Sequence, residues 1–304
     1  MLWVALLIVL YAYFETQGIK VCQDRISVHG LPAAFDGFSI VHISDLHSSG
    51  FGPREKRLCR LLRGVHADLF IFTGDYKRRK TTSELKVEKA LREIARPIKS
   101  RLGMLGVLGN KDSWQTAKIV ERAGIQLLSG RARRLVVGND SVWMAGIDGL
   151  SLRRATRALI SVTSQIPDGR FKVLLSHGPD VARLARALGY SLIFCGDTHG
   201  GQVRLPLIGA LYVKSEVSRR YCRGIIREGS TVLCIHSGIG TCAFPLRFLC
   251  PPELRLLTLV PERDSRSRGR PKETQDRRTG RNRRWARAAP RAAGPATTAE
   301  KGKP

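Results

Sequence analysis

The sequence predicts an α/β domain, and two observations carry that prediction. Between Ser39 and Val260, short apolar runs of strand length alternate with amphipathic stretches of helix length. Five of the apolar runs end at once in a small cluster of Gly, Asp, Asn and His, as expected where the strands of an open sheet deliver ligands beyond their carboxyl ends. Cysteine usage narrows the class by exclusion. The seven cysteines form no C-x-x-C pair, which reads as reduced, mostly buried thiols and leaves a zinc ribbon or disulfide framework unsupported.

The elements follow in chain order. Leu2 to Phe14 is almost unbroken apolar sequence, shorter than the roughly 20 residues of a spanning helix. Residues 1–18 are read as a membrane anchor, with a buried core segment and a cleaved signal as the alternatives. Lys20 and Arg25, just beyond, place the body on the cytoplasmic face of the inner membrane by the positive-inside bias. Residues 19–38 are expected to form a connector, and 39–261 the folded domain. Within it, strands are predicted over Ser39–Ile43, Leu69–Phe72, Met104–Leu108, Ser141–Ala145, Lys172–Leu175, Leu192–Phe194, Thr231–Ile235 and Leu254–Leu259. Helices are predicted over Arg54–Val65, Ser83–Ala95, Gln115–Ala123, Leu152–Val162 and Val181–Leu188. From Glu262 to Pro304 the chain turns to Arg, Pro, Gly, Thr and Ala, the composition of a disordered basic tail.

The formal net charge of +27 is shared between that tail, with 14 Lys and Arg against 5 Asp and Glu, and the body. A surplus of this size attracts anions, whether nucleic acid, anionic lipid or a phosphorylated small molecule, and does not by itself choose among them.

The five clusters are "SDLH" (44–47), "TGD" (73–75), "GNKD" (109–112), "SHGPD" (176–180) and "GDTHGG" (196–201). Taken singly, each has an ordinary reading: Asp45 as a helix cap, Asp75 and Asn110 as turn residues, His47, His177 and His199 as solvated or core histidines. Taken together, they offer oxygen and imidazole donors without a thiolate, a set suited to manganese, magnesium or iron.

This pattern of D-x-H, G-D, G-N-x-D, an isolated His and G-x-x-H resembles the calcineurin-like metallophosphoesterase superfamily over roughly Ser39 to Val260. "GDTHGGQVRLP" and "SGIGTCAFPLRFLCPPELRLLTL" are similar to its bacterial membrane-associated phosphodiesterases. The resemblance implies a β-sandwich flanked by helices, with a dinuclear metal site at the strand ends. It also implies that Asp45, His47 and His199 hold one divalent ion, that Asn110 and His177 hold the other, and that Asp75 bridges them. Hydrolysis of a phosphoester or phosphoanhydride is the expected activity.

Two positions depart from the superfamily pattern. Lys111 and Asp197 stand where it usually has histidines. Asp197 still offers an oxygen to the second metal. Lys111 keeps a positive charge but is a poor proton donor near neutral pH, which suits a leaving phosphate better than a leaving alkoxide. A basic residue at this position is similar to the lipid A pathway hydrolases of UDP-2,3-diacylglucosamine, the membrane-associated chlamydial type above all. Lys77, Arg78, Arg79, Arg219 and Arg220 are the candidate phosphate-binding residues, with Asn110 and Lys111 at the reacting group. The partners expected are a lipid or nucleotide-lipid substrate and an anionic membrane surface. Nucleic acid is not expected, although a catalytically impaired lipid- or nucleic-acid-binding protein is the competing reading.

Overall fold

A computed structural model describes residues 2–213, 219–242 and 245–262. Its first sheet contains β1 (Lys20–Val28), β2 (Ser39–Ile43), β3 (Leu69–Phe72), β4 (Met104–Gly106), β5 (Ile125–Leu127) and the last strand, β14 (Glu253–Pro261). Their order is β1-β14-β2-β3-β4-β5. Pairing is parallel throughout, apart from the antiparallel contact of β14 with β2. The second sheet contains β6 (Ala132–Val137), β7 (Asp140–Ile147), β8 (Lys172–Ser176), β9 (Tyr190–Cys195), β12 (Gly224–Glu228) and β13 (Thr231–Ile235), in the order β12-β13-β9-β8-β7-β6. Between β9 and β12 lies a small antiparallel hairpin, β10 (Arg204–Leu205) with β11 (Gly209–Ala210).

Side-chain alternation explains why the two sheets stack. Leu69 and Ile71 of β3 join Leu192 and Phe194 of β9 in one buried cluster between the sheets. The intervening Phe70 and Phe72 face the other way, onto helices α2 (Pro53–Arg63), α3 (Glu84–Ala95) and α4 (Trp114–Arg122). On the opposite outer face, Ile193 and Cys195 meet α5 (Leu152–Thr163) and α6 (Ala182–Ala187). The result is a sandwich with a helical layer on each side. Both of its sheets are covered on two faces, so their strands read as continuous apolar runs.

The helices start where local chemistry requires. Pro53 opens α2 with the Glu55 carboxylate accepting from the Gly52 backbone amide at 3.0 Å, and Ser113 caps α4. All seven cysteines are free thiols, five of them buried.

Several boundaries differ from expectation. Residues 19–38 are not a connector: β1 pairs along nine residues with β14, and Ile26, Val28, Phe35 and Phe38 enter the core between the sheets. Strands β5, β6 and β12 were also not expected. Helix α1 (Leu2–Gln17) covers the expected anchor, and no described helix is long and apolar enough to cross a membrane. The tail beyond Glu262 lies outside the described residues.

Candidate metal centre

The ends of β2, β3, β8 and β9 and the turn after β4 meet at one edge of the sandwich. Asp45, His47, Asp75, His177 and His199 are all buried there. The two imidazoles of His47 and His199 turn their Nε2 atoms toward each other at 3.0 Å. Asp75 lies across the middle of the group, with Oδ2 3.4 Å from His47 Nε2 and Oδ1 3.6 Å from His177 Nε2. One oxygen therefore faces each half of the cluster. Asp197 Oδ1 sits 3.3 Å from His177 Nε2 and accepts from the Asn110 side-chain amide at 3.1 Å.

Two overlapping triads have ligand atoms within 4.8 Å of one another: Asp45, His47 and His199, and Asp45, Asp75 and His177. The first is the trio that the resemblance assigns to one ion; the second joins Asp75 and His177 to Asp45, where the resemblance has Asn110. The structure brings Asp45, His47, Asp75, Asn110, His177, Asp197 and His199 into a single site.

The backbone is held in costly conformations to achieve this. Eight described non-glycine residues have positive φ, and five of them are Asp45, His47, Asp75, Asp197 and His199. Strain concentrated on the ligands is retained only where surrounding structure over-determines it. Glycines make the close approach possible. A Cβ on Gly196 would lie 2.4 Å from Asp45 Oδ2, and one on Gly109 would lie 2.1 Å from Asp75 Oδ1.

The residues fit divalent cations on electrostatic grounds. Asp45 Oδ1 and His177 Nε2 are buried without a protein hydrogen-bond partner, a cost that coordination would relieve. Burial, together with the Asp75 and Asp197 carboxylates, pushes Asp45 up to about 7. Burial also pushes His47 down to about 4 and holds His199 well below the ordinary histidine range, helped by His47 and Arg247. At His177, burial acts downward but is outweighed by Asp75, Asp197 and Asp45, so its imidazole sits well above the usual range. The carboxylates of Asp45 and Asp75 and the neutral imidazoles of His47 and His199, aimed at one another, are stabilised by positive charge placed between them, and the raised His177 reflects the same surplus of carboxylate.

The surrounding groups orient the ligands. His177 Nδ1 lies 2.7 Å from the Thr73 carbonyl, which fixes its ring and points Nε2 into the cluster. Ser44 donates to Asp45 Oδ2 at 2.6 Å, and the Lys111 backbone amide donates to Asp75 Oδ1 at 2.8 Å.

Three positioning residues were not expected from the sequence. Asp112 accepts from the backbone amides of Gly109 (2.7 Å) and Tyr76 (3.0 Å), tying the "GNKD" turn to the segment after Asp75. Asp148 accepts from the Leu108 amide at 2.9 Å and so holds the strand end just before that turn. Arg247 is fully buried and donates to the carbonyls of Ser237 (2.8 Å), Gly238 (3.2 Å) and Cys250 (3.0 Å), with Nη2 3.5 Å from His199 Nδ1. Only the fourth position of "GNKD" offered a signal in the sequence. A buried arginine stapled by loop carbonyls has no local pattern.

The expected substrate-binding residues fare unevenly. Lys111 and Asn110 line a hollow of about 360 Å³ together with Lys80, Ser113 and Gln115. Lys77 also borders it, but its side chain is 2% exposed and its ammonium pairs with Glu84, so it acts as an internal ion pair instead of a free phosphate-binding cation. Arg78 is half-buried and Arg79 exposed. Arg220 is exposed and lies 3.7 Å from Glu228, and the Arg219 side chain is outside the described residues.

Residues 38–201 match the calcineurin-like phosphoesterase family, a span that contains every one of these ligands. The chain belongs to that family. Its relatives include the metallophosphoesterase YkuE of Bacillus subtilis (strain 168), 30% identical over 81% of this chain and 87% of that one. Phosphodiesterase YaeI of Escherichia coli (strain K12) is 26% identical over 73% of this chain and 82% of its own. A "transmembrane protein with metallophosphoesterase domain" from Danio rerio is 26% identical over 79% of this chain and 57% of its own. Members of this metallophosphoesterase family are metal-dependent phosphoester hydrolases, and the Asp and His cluster has the donors and spacing to hold the divalent metal that such chemistry requires.

Proposed function

We propose that this phosphoesterase hydrolyses a phosphoanhydride in a nucleotide-linked lipid, UDP-2,3-diacylglucosamine, to UMP and 2,3-diacylglucosamine 1-phosphate, at the cytoplasmic face of the inner membrane. Two divalent cations, manganese in preference to zinc, would supply an activated water and withdraw charge from the phosphoryl oxygen. The chain's own contribution rests on one observation above the others: the side chain beside the reacting position is Lys111, not histidine. A permanent ammonium stabilises charge developing on a phosphoryl group without transferring a proton. A phosphate leaves without protonation, whereas an alkoxide does not. Asn110 amide to Asp197 carboxylate, and His177 to Thr73, keep the donors fixed while this happens. Asp197 adds a hard oxygen donor, which supports the preference for manganese or magnesium.

A second reading, a membrane-associated phosphodiesterase of broader substrate range, is supported by the similarity to a relative named phosphodiesterase. Purified protein incubated with manganese and either UDP-2,3-diacylglucosamine or bis-p-nitrophenyl phosphate separates the two. The proposal expects UMP release from the lipid. Turnover of the diester with none of the UDP-lipid overturns it in favour of the second reading.

A further inference from the structure

Most of the exposed large apolar side chains among the described residues lie in two elements linked through residues 247 and 248. Helix α1 exposes Trp3, Val4, Leu6, Ile8 and Val9, whose directions span most of the circumference at 3.6 residues per turn. Ala12 and Thr16 form the narrow buried stripe against the body. A protein groove covers one stripe of a helix. A surface apolar on nearly every side is covered instead by a fluid apolar phase.

The second element is the β10–β11 hairpin and the residues just after it. Leu207 at its tip is fully exposed, and Ile208, Leu211 and Tyr212 are exposed beside it. Leu207 also has φ of 64°, a conformation that favours glycine. In water, a leucine gains nothing at such a position. Its presence is accounted for by an apolar partner outside the chain.

The two elements are joined through residues 247 and 248. The Phe248 ring packs edge-on against Tyr11 at 5.5 Å, Phe248 bridges Val203 and accepts from the Arg204 amide at 2.9 Å, and the Arg247 amide donates to the Ala12 carbonyl at 3.3 Å. Where α1 ends, a hollow of about 510 Å³ is bordered by Lys20, Arg223 and Leu249, with Glu15 at its edge and Arg255 already paired to Asp24 and Glu253. Lys20 and Arg223 are exposed, and cations at the root of an apolar element match anionic headgroups. The hairpin is also tied to the metal site, since Arg204 Nη1 donates to the Gly200 carbonyl at 3.0 Å, one residue from His199.

From this geometry we infer that the hairpin around Leu207 and Ile208 is a second bilayer-contact element, which works with α1 to seat the His199 end of the molecule on an anionic lipid surface. The inference deepens the reading of a lipid-embedded substrate, and its test uses no substrate, so either can fail without the other.

The test is co-sedimentation of the full-length protein with vesicles of phosphatidylcholine, alone or mixed with phosphatidylglycerol. Leu207→Asp combined with Ile208→Asp should lower vesicle partition by roughly 10-fold or more while leaving the melting temperature unchanged. Leu207→Gly gives opposed readouts: it relieves the backbone, so the melting temperature should hold or rise, yet vesicle partition should fall. Lys20→Glu with Arg223→Glu should weaken binding only to vesicles that contain phosphatidylglycerol. Wild-type partition in the hairpin variants overturns the inference. So does a wild-type dimer in light scattering that the variants abolish while vesicle binding is unaffected, because the occupant is then a second copy of the chain.

Discussion

The metal site and the α1–hairpin surface invert the usual distribution of residues in opposite senses. In the first, carboxylates and imidazoles are buried together: Asp45 and His47 are almost wholly inaccessible. In the second, Trp3, Phe14 and Leu207 stand in the open. Neither arrangement is favourable for folding in water, since buried titratable groups lose hydration and exposed apolar groups keep an unfavourable one. Each would become favourable with the outside partner proposed for it, divalent cations in one case and lipid in the other. A shared cause, local rules broken where function requires it, therefore takes two chemically separate forms. The two should be separable by mutation.

The largest effect expected is at the centre of the cluster. Asp75→Ala removes the carboxylate that faces both halves, so turnover should be abolished at saturating manganese, while vesicle binding and the circular dichroism spectrum stay as in the wild type. Metal content by mass spectrometry should fall together with activity. Substantial turnover in this variant would break the assignment of Asp75 and, with it, the contrast drawn between the two regions.

Next comes Lys111. Lys111→Ala should lower turnover roughly 100-fold, the magnitude typical of a lost charge-stabilising donor, and Lys111→Arg should retain a substantial share. Lys111→His sharpens the point, because a proton donor should help diesters with poor leaving groups more than the UDP-lipid. Equal rates for Lys111→Ala and the wild type on both substrates would make this lysine a bystander.

Deleting residues 1–18 examines the other region. Membrane association should drop several-fold, while hydrolysis of a water-soluble diester changes by less than about twofold, because α1 packs on the body mainly through the Ala12 and Thr16 stripe. An equal loss of both would show that α1 is a core element and not a lipid-facing one.

The smallest effect concerns pH. His42 and His236 lie between the sheets beneath the cluster, 4.8 Å apart between ring centroids. Burial, reinforced by the charge of Arg255, holds both well below the ordinary histidine range. The folded protein thus binds fewer protons than the unfolded chain below the unfolded histidine value of about 6.5, so this contribution to stability is lost as pH falls. Asp45 and Asp112, raised to about 7, act in the opposite sense. His177, held well above the ordinary range by its carboxylate neighbours, and Asp148, raised by burial, act in that same sense, so the raised groups balance the four lowered histidines in number. The contribution of the His42–His236 pair is therefore read by difference: between about pH 7 and about pH 5 the melting temperature of the chelated His236→Gln variant should lose less, or gain more, than that of the wild type. The same pH dependence in both proteins would contradict it.

Much of this was legible in the chain itself. The strand runs Ser39–Ile43 and Leu69–Phe72 could be read residue for residue, because a strand buried on both faces leaves an apolar run bounded by sharp polar turns. The residues of the cluster were legible for the same reason: Asp45, Asp75, His177 and His199 each follow a buried strand within a few residues. Lys111 and Asp197 showed as departures from a familiar pattern. Within the expected connector 19–38, the strand at residues 20–28 leaves no such trace, since "KVCQDRISV" mixes polar and apolar residues and becomes a strand only through its partner, β14. Lys77 reads as an available cation in the sequence, but Glu84, seven residues later, pairs with it in the fold. Arg247, Asp112 and Asp148 gain their roles from carbonyls and amides brought to them by distant segments. What the sequence determined by itself was which groups stand at strand ends, because burial and turn chemistry are local and periodic. Which of those groups face one another, which charges are neutralised, and that α1 and the β10–β11 hairpin are linked through Phe248 were decided by tertiary structure, because contacts between residues far apart in the chain leave no periodic trace in it.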